Sequence, residues 1–160
     1  NGVYAMAIYD NVVPYIGGEE EKIETETLKI FGEFDGKSVK NADFKVSASC
    51  HRVPVIDGHT EAIWAKLAKN PTPEEVKQAF KTFDSKLSDL PTEPEYPIIV
   101  CEDPDRPQPR LDRDMGNGMS VSVGRIREGI RYVALGHNTV RGAAGASILN
   151  VELMHKKGYI

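Results

Sequence analysis

The sequence feature that most constrains the fold is a pair of alternating segments joined by a tight turn. From Met119 to Arg127 apolar and polar side chains alternate, from Ile130 to Leu135 they do so again, and Glu128-Gly129 lies between them. Alternation with period two is typical of strands that bury one face, and a two-residue turn containing glycine joins such strands into a hairpin. The sequence therefore predicts an antiparallel pair over residues 119–135.

A second region predicts another antiparallel pair. Phe44–Ile56 and His59–Leu67 alternate roughly with period two, and they flank Asp57-Gly58, a dipeptide that favours hairpin turns. Pro54 marks an edge strand or a bulge, because proline cannot donate to a sheet ladder. The short apolar run at 97–101 predicts one more buried strand.

Three helices are predicted. Acidic residues at the start and Gly32 at the end favour a helix from about Glu19 to Phe31. Thr72-Pro-Glu-Glu75 has the capping-box pattern with proline at the first helical position, and it opens a second helix. Small and aliphatic residues from about Thr139 to His155 predict a closing helix. The elements together predict an α+β domain with a mainly antiparallel or mixed sheet.

Composition narrows the functional class. The 160 residues are 40% hydrophobic and carry a formal net charge of −4, which suits one globular domain and argues against nucleic-acid or anionic-membrane partners. The longest nearly apolar stretch, 142–153, is too short to cross a bilayer. Cys50 and Cys101, without a cysteine framework or a signal peptide, predict free thiols in a cytoplasmic protein. The missing initiator methionine favours processing or a piece of a longer polypeptide.

Several common site types have no signal in this sequence. No Gly-x-Gly-x-x-Gly or Gly-x-x-x-x-Gly-Lys follows a predicted strand, so we expect no nucleotide cradle within the chain. Cys50 and His51 are neighbours on a predicted strand, where adjacent side chains point to opposite faces, so they do not form an activated thiolate pair. The four histidines lack metal-ligand spacing, which makes a metal site unexpected. They are His51, His59, His137 and His155.

The segment from Arg52 to His59 carries the most chemical information. A fixed guanidinium can hold a carboxylate with two hydrogen bonds, and a nearby imidazole can move a proton near neutral pH. The predicted turn at Asp57-Gly58 would bring both side chains to one rim. A solvated strand arginine and a polar turn histidine fit the same spacing, and spacing alone favours this second interpretation.

A second candidate pair lies on the first predicted helix. Glu19 and Lys22 are three residues apart and therefore share a helix face. A carboxylate beside an ammonium can bind an amino-acid-like substrate or a phosphate. An exposed helical ion pair explains the same residues.

Two further segments allow alternative interpretations. Asp103 to Arg113 alternates prolines with charged residues, a composition that predicts an extended loop, either solvated or forming ion pairs across a subunit boundary. Asn138 or Thr139 is expected at the N-cap of the closing helix, followed by very small side chains. Such a start lets a flat ring approach closely and lets an asparagine amide bind a carboxamide, but tight helix packing explains the small residues equally well.

Six stretches, in one order, resemble the aspartate-semialdehyde dehydrogenase family, and within it the branch found in archaea and fungi. They are Asp10–Ile16, Gly18–Lys22, Cys50–Thr60, Pro104–Arg113, Val123–Arg127 and His137–Ala146. The resemblance covers essentially the whole chain, yet it corresponds only to the C-terminal substrate-binding and dimerisation domain of the family's enzyme. It implies the fold of the C-terminal domain of the aspartate-semialdehyde and glyceraldehyde-phosphate dehydrogenase type.

The resemblance also implies a reaction and roles for five residues. Members of this family reduce aspartyl phosphate with NADPH to aspartate semialdehyde and phosphate, on the route to lysine, threonine and methionine. By motif match His59 resembles the acid/base histidine, and Arg52 the arginine that holds the substrate carboxylate. Glu19 resembles the glutamate that meets the substrate amino group, Lys22 the lysine that helps hold phosphate, and Asn138 the asparagine near the nicotinamide.

The chain departs from the family pattern in one decisive way. The glycine-rich NADP-binding loop and the Asn-Cys motif of the nucleophile would lie upstream of Asn1, and neither Cys50 nor Cys101 matches that nucleophile. We therefore expect the chain alone to be inactive, to hold NADP weakly and to self-associate as a homodimer or homotetramer.

Two alternatives remain beside this interpretation. The first is a non-catalytic oligomerisation module that retains only self-association. The second, a related acyl-phosphate reductase of the N-acetylglutamyl-phosphate type, would not be expected to carry the segment from Arg52 to His59 in this form.

Overall fold

The structure is a computed structural model that describes residues 8–160. The chain forms two compact units, Asn1–Pro54 and Val55–Ile160. Among residues 8–160 no helix is both long enough and apolar enough to span a bilayer.

The first unit is built on helix α1, Glu19–Ile30, which confirms the helix predicted there. Three glutamates in its first turn and Lys29 in its last turn complement the helix dipole. Two short strands, β1 (Glu33–Phe34) and β2 (Val39–Lys40), follow as an antiparallel pair. A side chain at Gly32 would clash with the Lys40 carbonyl oxygen, so glycine lets the helix end pack against β2.

The strand predicted over Phe44–Ile56 is wrong. Within residues 8–160, the strand-like pairing described for this segment is an isolated antiparallel bridge between Arg52 and Val13. Helix carboxylates accept its backbone N–H groups instead: Ala48 donates to Glu24 at 2.9 Å and Cys50 donates to Glu20 at 2.8 Å. The alternating pattern indicates an extended chain, but two of its backbone N–H groups bond to carboxylates of α1 and not to a neighbouring strand.

The second unit contains a four-stranded mixed sheet. Its strands are β3 (His59–Trp64), β4 (Ile98–Val100), β5 (Val121–Arg127) and β6 (Arg131–Gly136), in the spatial order β3-β6-β5-β4. The predicted hairpin over residues 119–135 is confirmed as the antiparallel pair β5 and β6, and β4 joins β5 in parallel. The hairpin predicted at Asp57-Gly58 is wrong, because β3 is an edge strand whose partner is β6.

The helices of the second unit confirm the two remaining helix predictions. Helix α2, Pro73–Lys81, opens with the predicted capping box, in which Thr72 Oγ1 accepts the Glu75 N–H and Glu75 Oε2 accepts the Thr72 N–H. It packs on the sheet, and Phe80 meets Tyr132 edge to face with ring centroids 5.3 Å apart. A short helix α3, Pro109–Asp112, follows β4, and the closing helix α4, Gly145–Lys156, is preceded by a π-helical turn, Val140–Ala144. The α+β class is thereby confirmed.

The core of the second unit lies where α4 meets the start of β5. Leu90, Met119 and Leu149 are buried together, and Val140 and Leu153 pack against them. Gly145 at the start of α4 is buried against the Met119 sulfur, where a larger side chain would clash. The helix start is therefore small in part because it is tightly packed.

The segment Asp103–Arg113 folds back onto the chain and does not stay extended. Asp112 is completely buried, and its carboxylate accepts hydrogen bonds from Arg106 Nε at 2.8 Å, from Arg106 Nη2 and from the Gln108 N–H at 2.6 Å. For this pair, neither a solvated loop nor a link between subunits is correct, because Arg106 finds its partner six residues away in the same chain. The ion pair holds the segment against β5, where the Arg106 carbonyl faces Gly124.

Gly124 and Gly136 make a matched test of this packing, since they lie on the neighbouring strands β5 and β6. A Cβ at Gly124 would clash with the Arg106 carbonyl oxygen, whereas a Cβ at Gly136 meets nothing within 4 Å. We expect Gly124→Ala to lower the free energy of unfolding by about 1–3 kcal/mol. Gly136→Ala should leave it unchanged or raise it by up to about 1 kcal/mol. Urea denaturation measures both, and equal effects of the two substitutions would contradict the described packing.

The buried ion pair predicts a pH dependence of stability. Hydrogen bonds from Arg106 lower the pKa of the Asp112 carboxyl below its usual value, against the opposing effect of burial. A carboxyl whose pKa is lower in the folded state stabilises the fold above its unfolded pKa of about 3.9, and that contribution is lost as the pH falls through the folded pKa.

We therefore expect Asp112→Asn to lower the melting temperature by about 5 °C or more at neutral pH. The difference from the unsubstituted chain should shrink as the pH falls below about 4. Thermal unfolding followed by circular dichroism across this range tests the expectation. A difference that is the same at every pH would show that the Asp112 charge contributes nothing.

Candidate active site

His59 is the first residue of β3, and its side chain is exposed. Gly58 precedes it with φ +114°, a conformation that glycine adopts without strain. A side chain at Gly58 would also press on Leu135 and Pro109, whose nearest atoms lie 3.3 Å and 3.4 Å from the ideal Cβ position. Conformation and packing both require glycine immediately before His59.

The strand register brings Asn138 to this turn. His59 pairs with Gly136, the last residue of β6, so the residues after β6 and those before β3 meet at the same end of the sheet. There Asn138 Oδ1 accepts a hydrogen bond from the Gly58 N–H at 3.0 Å. This contact joins positions that are eighty residues apart in the sequence.

A second side chain reaches the same turn from the Asp103–Arg113 segment. Arg113 Nη1 donates to the Asp57 carbonyl oxygen at 3.5 Å, and the Arg113 Cβ lies 3.7 Å from the ideal Cβ position of Gly58. The peptide group between Asp57 and Gly58 is thus held at its carbonyl oxygen and at its N–H by groups from two other parts of the unit. No sequence pattern singles out Arg113 for this site.

The predicted cap of the closing helix is corrected in part. Thr139 is the N-cap of the π-helical turn and not of α4, whose N-cap is Ala144, and the Thr139 side chain accepts no cap hydrogen bond. His137 Nδ1 takes that place and accepts the N–H groups of Thr139 at 3.3 Å and Val140 at 3.4 Å. The Asn138 oxygen is therefore free of the helix and bonds Gly58 instead.

Open space surrounds the exposed end of this turn. Gly136 has no side chain opposite His59, and a Cβ placed there would meet nothing within 4 Å. Gly142, Ala143 and Ala144, which follow Asn138 on the π-helical turn, are exposed and small. A flat ligand could approach the backbone of this turn closely. Two explanations were open for these small residues: close approach of a ligand and tight helix packing. Ligand approach fits the exposed residues 142–144, whereas tight packing fits the buried Gly145.

The other candidate residues belong to the first unit. Glu19 and Lys22 share one face of the first turn of α1, whereas Glu20 and Glu24 form another face, the one that holds the backbone of 48–50. Arg52 follows this anchored segment by two residues, and its backbone N–H and C=O both pair with Val13, at 2.9 Å and 3.0 Å. The segment 48–50 and helix α1 are thereby held together within the first unit.

The hairpin that was expected to bring Arg52 and His59 to one rim does not exist. The two residues belong to different compact units, and their action on one substrate stays a prediction. The contact that the sequence could not reveal is the one between Asn138 and Gly58, because no local pattern encodes a pairing of β3 with β6.

In the described residues, neither a metal-ligand cluster nor an activated Cys101 thiol adds to this site. Residues 8–160 contain no group of three or more histidine, cysteine, aspartate or glutamate side chains that could hold a metal ion. Burial raises the pKa of the Cys101 thiol, and the nearby Asp112 carboxylate adds to the shift. A thiol with a raised pKa is a poor nucleophile near neutral pH.

Comparisons with known proteins show which family this chain is similar to. A family model described as semialdehyde dehydrogenase, dimerisation domain, matches residues 1–141. Aspartate-semialdehyde dehydrogenase from Archaeoglobus fulgidus is 62% identical over 99% of this chain and 47% of its own length. The crystal structure of aspartate semialdehyde dehydrogenase with NADP from Candida albicans has a TM-score of 0.87 and 46% identity, over 99% of this chain and 48% of that one.

A more distant structure, aspartate semialdehyde dehydrogenase II from Vibrio cholerae, gives a TM-score of 0.75 at 26% identity and covers 93% of this chain. The chain spans about half the length of the relatives that it matches. On the family model and these identities, the chain belongs to the semialdehyde dehydrogenase dimerisation-domain family and corresponds to a C-terminal portion of aspartate-semialdehyde dehydrogenases.

Proposed function

We propose that this chain is the substrate-binding, proton-transferring and dimerising half of an NADP-dependent aspartate-semialdehyde dehydrogenase. The observation that carries the proposal is His59, the residue that matches the family's acid/base histidine, exposed beside open space on a turn that Asn138 holds. Relatives with the activity in their names match almost the whole chain.

The reaction converts aspartyl phosphate and NADPH to aspartate semialdehyde, phosphate and NADP⁺. Each candidate side chain has the chemistry for one part of it. The Arg52 guanidinium holds the substrate carboxylate with paired hydrogen bonds, and Glu19 accepts the substrate ammonium group. Lys22 offers a point charge to phosphate, and the His59 imidazole moves a proton near neutral pH.

The described residues fit the nicotinamide end of NADP and do not provide a site for the whole cofactor. The Asn138 oxygen is used by Gly58, so its NH₂ group is left to donate to a carboxamide oxygen, and the exposed residues 142–144 leave room for a flat ring. NADPH supplies a hydride when bound. No glycine-rich nucleotide motif follows a strand in this sequence, so we propose that another part of the enzyme holds the phosphates and ribose.

The attacking thiolate must also come from outside this chain. Cys101 is half-buried with a raised pKa, and neither cysteine matches the family's nucleophile. Without that group the covalent step has no attacking atom. We therefore expect the 160-residue chain alone to show no turnover.

A chimera tests the catalytic proposal. Residues 1–160 are joined to the first half of the Archaeoglobus fulgidus relative, and phosphate-dependent reduction of NADP by aspartate semialdehyde is measured. We expect activity in the chimera and a loss of about 100-fold or more in kcat for His59→Ala, since general acid/base groups contribute factors of this size.

His155→Ala is the matched control, because His155 is an exposed histidine near the end of α4 and outside the proposed site. It should leave kcat unchanged. A folded chimera in which His59→Ala turns over as fast as His155→Ala would refute the assignment of His59.

Self-association is the second expected property. The matching family model describes a dimerisation domain, and the second unit exposes large apolar side chains, among them Trp64 at 67% and Ile148 at 54%. We expect the chain alone to sediment as a dimer or tetramer at micromolar concentration. A monomer would contradict this expectation, while association combined with an inactive chimera would favour a non-catalytic oligomerisation module.

A further inference from the structure

We propose that Asn138 is a positioning residue for His59, in addition to any contact that it makes with a ligand. Its side-chain oxygen fixes the turn from which His59 projects, while its NH₂ group can donate to a ligand. The inference rests on the proposed role of His59 in proton transfer.

The orientation of the Asn138 amide follows from its partner. The Gly58 backbone N–H is a donor, so the side-chain atom 3.0 Å away must be the carbonyl oxygen and not the nitrogen. Both residues are half-buried, which makes the loss of this hydrogen bond costly for the N–H group that would be left. The contact is therefore a defined constraint on the backbone.

The constraint acts one peptide unit away from the proposed proton-transfer group. Glycine has more backbone freedom than any other residue, so the φ of +114° at Gly58 must be held by its surroundings. Gly58 has no side chain that could pack against its neighbours Leu135 and Pro109, and the Arg113 hydrogen bond to the Asp57 carbonyl is long, at 3.5 Å. The hydrogen bond from the Gly58 N–H to Asn138 Oδ1, at 3.0 Å, is shorter than the one that Arg113 donates.

Small displacements of a catalytic group have large effects on rate. A shift of about 1 Å in a reacting group can lower the rate about 100-fold. Removal of the Asn138 oxygen should let the turn relax and the His59 ring move, even with the imidazole itself unchanged. The same side chain would then connect a ligand on its NH₂ group with the position of His59.

Two substitutions separate the positioning role from ligand binding. Asn138→Asp keeps an oxygen that can accept the Gly58 N–H but removes the NH₂ donor, whereas Asn138→Ala removes both. In the chimera we expect Asn138→Ala to lower kcat by about 100-fold. We expect Asn138→Asp to recover at least about tenfold of that loss, while both substitutions raise the KM for NADP.

A residue that acts only through the ligand would give a different result. Asn138→Asp and Asn138→Ala would then have the same kcat, and only the KM for NADP would change. That outcome overturns the inference. It is distinguishable from failure of the proposed function, because His59→Ala would still be inactive in the first case and would be active in the second.

A second measurement requires neither activity nor a folded variant. Hydrogen exchange followed by NMR on the unsubstituted 160-residue chain reports the Gly58 amide directly. We expect protection on the order of 100-fold relative to an unstructured amide. Where the variants fold, protection should persist in Asn138→Asp and be lost in Asn138→Ala. An unprotected Gly58 amide in the unsubstituted chain would also overturn the inference.

Discussion

The pairing of β3 with β6 is the interaction on which the candidate site depends. Its register sets His59 opposite Gly136, and it thereby brings Asn138 to Gly58 and leaves open space beside the imidazole. A shift of one residue would turn His59 to the other face of the sheet and would separate Asn138 from the turn. The chemistry proposed for His59 is therefore a consequence of strand register as much as of residue type.

The segment 103–113 of the second unit also contacts the turn that leads into β3. The buried Asp112 carboxylate folds the segment 103–113 against β5, which places Pro109 and Arg113 beside Gly58. Such an ion pair contributes little net stability when it replaces an apolar contact, but it is costly to break. Its main effect here is to define where the segment lies, and so to hold the backbone that leads into β3.

The sequence alone was sufficient to predict an element where its signal lies in neighbouring residues. The β5–β6 hairpin has its own turn and was predicted with nearly the observed bounds, and the complete capping box predicted where α2 begins. The sequence was insufficient to predict structure where the hydrogen-bond partners are far apart along the chain. Period-two alternation in Phe44–Ile56 indicates an extended chain, but it does not distinguish a strand from a segment whose N–H groups bond to Glu20 and Glu24. His59 and Asn138 were selected through the family resemblance, whereas their connection through Gly58 required the three-dimensional register.

A crystal structure of the active chimera with NADP and aspartate semialdehyde bound would test the roles of His59 and Asn138 directly. We predict a His59 ring nitrogen within about 3.2 Å of the reacting oxygen of the substrate. We also predict that Asn138 Oδ1 stays on the Gly58 N–H while the Asn138 NH₂ group faces the carboxamide. A His59 ring that points away from the bound substrate, with Asn138 detached from Gly58, would contradict both roles.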